Sequence, residues 1–579
     1  MPLDLHWIRL RSLSNSRDIV VAVCLCCSGL SQAIAKDGGQ VDAGALQQQI
    51  ERNQTLRLPR IMSPEIPVAP AIAVPEDAPV VTVSRFVFKG STLLPESQLL
   101  QIVAGQVGLP LSFSALENLV AQVAQAYRAQ GWVVRAFLPE QDIVDGQVAI
   151  QIVEGTLGQI VIEGDLPSTL SESDLKRIIQ AQQAQGGVLN SFSLDRGLLI
   201  ADDISGVNVS AKMMEGEQEA QTNLLLQVSV RPWFDSNVGL DNSGSPSTGS
   251  IRASAMVNVN NVGLAGSVLS AQLAKTEGTR YARLGFAVPL GVQGLKLGVN
   301  HSQMDYQVLN VSSDLEALGT SITTGADLTY PLVRSRFQNV YLTLALEDKA
   351  FTNYAAGMLA SDYGTRALSL TLLGNRVDQW GFAGGANTWS LSYGSGLLDL
   401  AGSPNEDSLA KDANPAGRYS KLRYSVGREQ FLNPNWSLYG SFSGQWANKN
   451  LDSSEKIVLG GNSGIRAYGP SEAGGANGQI LNMEARWRYS QALAVSAFYD
   501  IGCIQINVSN DYSGAPTVND YCLKGGGLAA TWTSDKGASL KAIWARRTGV
   551  NPNANIETGQ DQDGSLVLNR FWLTASMVF

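Results

Sequence analysis

The residues of this 579-residue chain whose types and spacing could do chemistry lie in two short stretches of its last third. In Gly464-Ile465-Arg466-Ala467-Tyr468-Gly469 an arginine sits between glycines inside a long loop, and glycines permit backbone conformations that other residues resist. In Phe498-Tyr499-Asp500-Ile501-Gly502 the period of a strand puts Phe498, Asp500 and Gly502 on one face and Tyr499 and Ile501 on the other. A guanidinium can form two parallel hydrogen bonds to a carboxylate, which fix orientation as well as contributing energy, and lysine cannot match that geometry. On the loop alone, Arg466 is either an anchor of that kind or one more solvated charge. Nothing points to an enzyme. Only His6 and His301 exist, and neither a Gly-x-Ser-x-Gly nor a metal-ligand cluster is present. The reading is therefore no catalytic residue, no cofactor and no metal, with carboxylates such as Glu484 serving as polar lining.

The elements that must position these residues are strands. Charged residues make up 16% of the chain, glycine numbers 58, and no uncharged apolar run reaches the length of a spanning helix, about 20 residues. Transmembrane strands need only about 10 residues each and alternate apolar with polar. From Phe234 onward the chain alternates in that way, with Gly, Asn, Asp and Ser between segments. Leu342, Leu344 and Leu346 face away from Tyr341, Thr343, Ala345 and Glu347, and Leu481, Met483, Ala485 and Trp487 face away from Asn482, Glu484, Arg486 and Arg488. Such polar faces are costly in a dry sandwich core and suit a water-filled lumen. In a bilayer no backbone group can go unpaired, so the strands must close on themselves. Counting segments predicts a β-barrel of about 16 antiparallel strands over 232–579. The formal charge of −9 argues against a nucleic-acid partner.

Upstream, Arg9, Arg11 and Arg17, an apolar run from Ile19 to Leu30 and Ala33-Ile34-Ala35 read as a signal peptide over 1–35. Export places Cys503 and Cys522 in an oxidising compartment, where a disulfide is the expected fate. Residues 36–58 are glutamine-rich, with Leu46 and Ile50 as a narrow apolar stripe at helical spacing. Such a helix is either a frayed tail or sits in a wet, enclosed place. Residues 59–79 carry six prolines, an extended tether that could span roughly 60 Å. Two segments, 80–155 and 156–231, then share the order strand, helix, helix, strand, strand, and Ser112-Phe113-Ser114 of one recurs as Ser191-Phe192-Ser193 of the other. That order resembles the POTRA domain, whose sheet leaves an edge able to pair with an incoming extended peptide.

The loop stretch resembles the Val-Arg-Gly-Tyr motif of the two-partner secretion transporters, the TpsB family, relatives of the barrel-assembly insertases. Ile465 stands for the valine and Ala467 replaces the glycine, while Arg466 and Tyr468 match. Phe498, Asp500 and Gly502 resemble the family's Phe-x-Asp-x-Gly strand motif. The resemblance implies that Asp500 receives Arg466 once a loop at 448–478 folds back into the barrel, and that the helix with Leu46 and Ile50 is a plug. Asp241-Asn242 with Gly244, and Tyr330-Pro331-Leu332 with Arg334-Ser335-Arg336, resemble further family segments. The terminal Phe579 resembles the signal that barrel-assembly machinery reads during biogenesis. The resemblance thus implies a protein of the bacterial outer membrane, in contact with its lipid, with the POTRA domains in the periplasm. It would secrete a large, β-helical partner (an adhesin, haemolysin or toxin) without ATP. The alternatives are a barrel-assembly insertase or a passive diffusion porin.

Overall fold

The computed structural model describes residues 42–52, 80–309, 316–404 and 413–579. The signal peptide expected over 1–35 and the tether expected over 59–79 lie outside the described residues. The first described elements are helix α1 (Ala43–Arg52) and a short strand β1 (Val80–Thr82). A first unit follows with β2 (Arg85–Lys89), α2 (Glu96–Val103), β3 (Pro110–Ser112), α3 (Phe113–Ala129), β4 (Val134–Phe137) and β5 (Gln147–Glu154). A second has β6 (Thr156–Gly164), α4 (Glu172–Gln180), α5 (Ser191–Asp202), β7 (Val207–Glu215) and β8 (Gln221–Val230).

Each unit is a three-stranded sheet whose last strand in sequence lies beside its first, in the orders β2-β5-β4 for the first unit and β6-β8-β7 for the second, with two helices laid on it. Alternation decides which face the helices cover: Val148, Ile150 and Ile152 of β5 are buried against Leu99, Val123 and Tyr127. In the second unit Leu224, Leu226 and Val228 meet Leu175 and Ile179. The repeated Ser-Phe-Ser is used differently in the two copies. Ser112 caps α3, accepting from the Ala115 N–H, whereas the cap of α5 is one residue earlier, where Asn190 accepts from the Phe192 and Ser193 N–H groups. Asparagine caps as well as serine, and Ser191 is thereby released to donate to the Gly131 carbonyl at 2.9 Å, tying the second unit to the first.

The barrel consists of β9 (Phe234–Asp241), β10 (Arg252–Asn260), β11 (Val268–Lys275), β12 (Thr279–Leu290), β13 (Leu295–Gln307), β14 (Ala317–Arg334), β15 (Gln338–Ala355) and β16 (Met358–Asp378). It continues with β17 (Gly385–Asp399), β18 (Gly417–Phe431) and β19 (Trp436–Ala447). After a long loop holding the small pair β20 (Ile457–Val458) and β21 (Gly474–Gly475), it ends with β22 (Asn477–Arg488), β23 (Leu493–Gln505), β24 (Asp520–Thr533), β25 (Ala538–Arg547) and β26 (Asn569–Val578). Sixteen antiparallel strands close, β26 pairing with β9 through Ala575 and Leu240, and Phe579 extends the seam by donating its N–H to the Ser236 carbonyl at 2.9 Å. The strand count is the expected one. Leucines 344, 346, 368 and 370 are exposed outward, as an apolar belt requires, while Thr343, Asn353 and Thr365 are buried inward. Cys503 and Cys522 face one another across β23 and β24 and are joined as a disulfide.

The second unit is clamped to one rim of the barrel. Arg334, at the end of β14, gives two parallel hydrogen bonds to Asp203 (2.8 and 2.9 Å), Arg336 pairs with Asp195 at 2.9 Å, and Arg196 donates to the Pro331 carbonyl at 2.8 Å. That turn therefore belongs to the same side of the membrane as the two units, and the rim bearing the long loop is the opposite one.

Candidate functional site: a loop and a helix held inside the barrel

The loop between β19 and β22 folds back into the lumen, and its tip is held by one carboxylate. Asp500, fully buried on β23, accepts the Arg466 Nε at 2.9 Å on Oδ2 and its Nη2 at 2.7 Å on Oδ1, while the Arg466 backbone N–H reaches the same Oδ2 at 3.1 Å. Nη1 turns to Glu484 at 2.6 Å, the guanidinium lies 3.5 Å from the Phe498 ring centroid, and Trp572 Nε1 donates to the Arg466 carbonyl at 2.7 Å. Asn482 joins the network by donating to Asp500 at 2.8 Å and to the Gly464 carbonyl at 3.0 Å. A charge this deeply buried persists only when it is paired and hydrogen-bonded, and each nitrogen of the Arg466 guanidinium donates to a carboxylate.

The small residues around the pair have steric reasons. A Cβ on Gly502 would stand 2.6 Å from Ile465 Cδ1, so glycine there is what lets the loop side chain lie flat on the strand. Ala467 is fully buried, keeps a backbone conformation open to any residue, and its methyl occupies the space over Gly525, where a second Cβ would come within 2.4 Å. The replacement of glycine at 467 is thus matched on the barrel wall. Tyr468 is fully buried with Arg547 4.8 Å from its ring centroid.

Beyond the tip, the loop meets the segment joining β25 to β26. Glu472 accepts from Asn551 at 2.7 Å and from the Gln562 N–H at 3.0 Å, Asp561 pairs with Arg547, and Asp563 pairs with Arg570 at 2.5 Å. Burial, with Asp561 beside it, pushes the Glu472 carboxyl up to about 7. Glu472, Asp561 and Asp563 are the one acidic trio close enough to share a cation among the described residues. Arg547, Arg570, Asn551 and the Gln562 N–H already engage these carboxylates, so the trio reads as an ion-pair knot and not as a metal centre. Nearer the start of the loop, Glu455 is buried between Lys349 and Lys421; burial opposes its charge, but Lys421, Lys349 and Arg423 together hold its carboxyl well below the usual range.

Helix α1 lies in the same lumen, against the loop. Asp42 caps it, accepting the Ala45 N–H at 2.9 Å, and also accepts Ser453 Oγ of the loop at 2.7 Å. The Ala43 N–H donates to Asn353 at 2.9 Å, Gln47 to Thr323, Gln48 to the Lys456 carbonyl, and Gln49 to the Ser243 carbonyl at 3.1 Å. The glutamines that make this helix a poor free helix thus find partners on the wall, on the loop and just beyond β9. Leu46 is buried and Ile50 packs with it against a group that includes Met304 and Phe351. Gly44 is the closest approach: a Cβ there would be 2.8 Å from Tyr363 Oη and 2.9 Å from Ser454 Cβ.

The structure therefore brings Arg466, Tyr468, Phe498, Asp500 and Gly502 into one cluster, packs Leu46 and Ile50 of α1 against the lumen wall and joins Cys503 to Cys522. Reading Glu484 as mere polar lining is corrected: it is the second carboxylate on Arg466 and also binds Arg486 at 2.8 Å, because its register sets it opposite Phe498. Asn482, opposite Asp500 in the same ladder, and Trp572 were missed as well. The polar alternation of 482 and 484 carried that information, whereas nothing local pointed to Trp572.

Residues 220–526 match the family described as haemolysin secretion/activation protein ShlB/FhaC/HecB, and residues 81–155 match the POTRA domain of ShlB type. The heme/hemopexin transporter protein HuxB of Haemophilus influenzae is 27% identical over 414 residues, covering 70% of this chain and 72% of that protein. The outer membrane transporter CdiB of Escherichia coli O6:K15:H31 is 26% identical over 496 residues, covering 83% of this chain and 82% of that protein. Among solved structures, CdiB from Escherichia coli superposes with a TM-score of 0.72 at 21% identity, covering 95% of this chain and all of that one, which is a likeness of fold.

Proposed function

From the premise that this chain belongs to the haemolysin secretion/activation family, outer-membrane barrel transporters of two-partner secretion with periplasmic POTRA domains, we propose that it secretes one large partner protein through its own lumen. The partner enters unfolded from the periplasm, is caught by the POTRA units through an exposed sheet edge, and passes once α1 has left, with the loop kept on its Asp500 anchor. No phosphate-binding loop is present in the sequence, and folding of the partner outside, as a β-helix, supplies the free energy. The carrying observation is that two elements, a helix and a loop, neither of which is part of the wall, are lodged in the lumen. A porin needs no POTRA units, and a barrel-assembly insertase needs no helix lodged in its lumen.

Between α4 and α5 of the second unit and the inner wall lies a vestibule of about 640 Å³, lined by Ile178, Ile200 and Ile204 on one side and by Asn258, Arg283 and Tyr341 on the other. It is the entry that this reading requires. A photoreactive benzophenone residue placed at Asn258 is expected to form an adduct with a single high-mass secreted polypeptide in cells caught during export. Adducts spread over many outer-membrane barrel proteins would instead favour the insertase.

A further inference from the structure

The outer wall of the barrel carries a concavity of about 930 Å³ over β12 to β18 that none of the described residues fills. Its lower part is apolar, from Leu284, Phe286, Val299, Leu346 and Leu368, and its upper edge is polar, from His301, Thr324, Asp348, Arg366 and Arg418. These polar residues stand on the outward face. Arg366 is 81% and Asp348 57% exposed, joined by Nε to Oδ2 at 2.8 Å, and His301 Nδ1 is 2.9 Å from Thr324 Oγ1. They lie in one row across the sheet, since His301 pairs with Thr324, Asp348 with Arg366, and Arg366 with Leu397, which in turn pairs with Arg418.

The height of that row follows from the clamp between Arg334 and Asp203, which marks the near rim of β15 as periplasmic. Going up β15, Val340, Leu342, Leu344 and Leu346 face outward before Asp348 does. Eight residues at about 3.4 Å each, tilted by about 40°, rise roughly 20 Å, and the apolar belt of such a barrel is about 25 Å tall. A row of paired residues runs perpendicular to the tilted strands and so climbs by about 3 Å per strand from His301 to Arg418. Asp348, Arg366 and Arg418 therefore sit where acyl chains give way to headgroups, on the leaflet facing away from the POTRA units, with Thr324 and His301 below them. On the inner face behind the row stand Gly285, Gly325, Ala367 and Gly396, small enough for the wall to bow inward.

We propose that this concavity binds a bisphosphorylated, multiply acylated glycolipid of the outer leaflet. The acyl chains lie in the apolar part, and Arg366 and Arg418, two strand spacings or about 10 Å apart, take the two phosphates. Arginine offers a fork of donors to phosphate, and Arg366 spends only Nε on Asp348 among its hydrogen bonds to described residues. His301 and Thr324, lower on the wall, contribute polar contacts below the phosphates.

The test is native mass spectrometry of the purified full chain in detergent, with bisphosphorylated lipid A, its monophosphorylated form and phosphatidylglycerol as probes. The wild type is expected to retain lipid A at least tenfold more tightly than either of the others. Arg366→Gln combined with Arg418→Gln should erase that preference, and Arg280→Gln, an outward arginine outside the concavity, should leave it intact. Retention of phosphatidylglycerol as tight as that of lipid A, in the wild type alone, would overturn the proposal without any variant. Undiminished lipid A binding by the double variant, or an equal loss with Arg280→Gln, would do so too. Heat-modifiable migration on gels confirms that each variant is a folded barrel.

Discussion

Arg466→Ala is expected to abolish export, by tenfold or more, while the barrel still inserts and closes. The substitution leaves Asp500 fully buried without its counter-charge, and breaking a buried pair in this way costs about 3–5 kcal/mol. That cost falls on the docked loop and not on the wall, because no ladder hydrogen bond of β22 or β23 involves residue 466. Loop docking is then disfavoured by a factor of about 100 or more, since 1.4 kcal/mol is tenfold. Arg466→Lys should recover little of it, as an ammonium cannot span both Asp500 oxygens while reaching Glu484. Secretion in the medium, heat-modifiability of the barrel and protease access to the loop from outside separate the three effects. Normal secretion by Arg466→Ala would remove the pair from the mechanism.

Removing residues 41–56 should produce larger and steadier conductance in planar bilayers. An α-helix with its side chains occupies a cylinder about 10 Å across, and α1 fills that much of the lumen. Gly44→Leu provides the same test without a deletion, since its side chain would collide with Tyr363 and with Ser454 of the loop. The seat also carries a pH dependence. Burial raises the carboxyl pKa of both Asp42 and Asp452, the latter to about 6 with Asp42 adding to the shift. A carboxyl whose pKa is raised on docking binds more protons docked than free, so docking is strongest in acid and weakens as pH rises from about 4 through 6. Wild-type openings should accordingly become more frequent as pH rises from about 4 to 6. An unchanged conductance in both the deletion and the Gly44→Leu variant would mean that α1 is not the plug.

Local alternation made the barrel legible. Leu342 to Leu346 and Leu481 to Trp487 state their two faces without help from the rest of the chain, and the closed lattice follows from the bilayer's refusal of unpaired backbone. The anchor was half legible: the phase of Phe498, Asp500 and Gly502 set Asp500 inward, but the pairing to Arg466 came from a resemblance of motif. Glu484 could have been added by register, yet Trp572, 106 residues beyond the arginine it supports, could not, because only barrel closure brings β26 near the loop. The same holds for Arg334 and Asp203, 131 residues apart. Helix α1 was ambiguous for a physical reason: a glutamine-rich helix is unstable in water and stable in a polar enclosure, and the enclosure is written elsewhere in the chain. Ala467 departs from its motif, and the compensation lies at Gly525, on a strand with no motif of its own.

The most direct measurement is a comparison of the extracellular proteins of the bacterium that makes this chain, before and after deletion of its gene, with complementation by the wild type and by Arg466→Ala. A dedicated translocator predicts that one large protein disappears from the medium and returns only with the wild type, while the other outer-membrane barrels keep their abundance. An unchanged set of extracellular proteins, or a general fall in outer-membrane barrels, would contradict it.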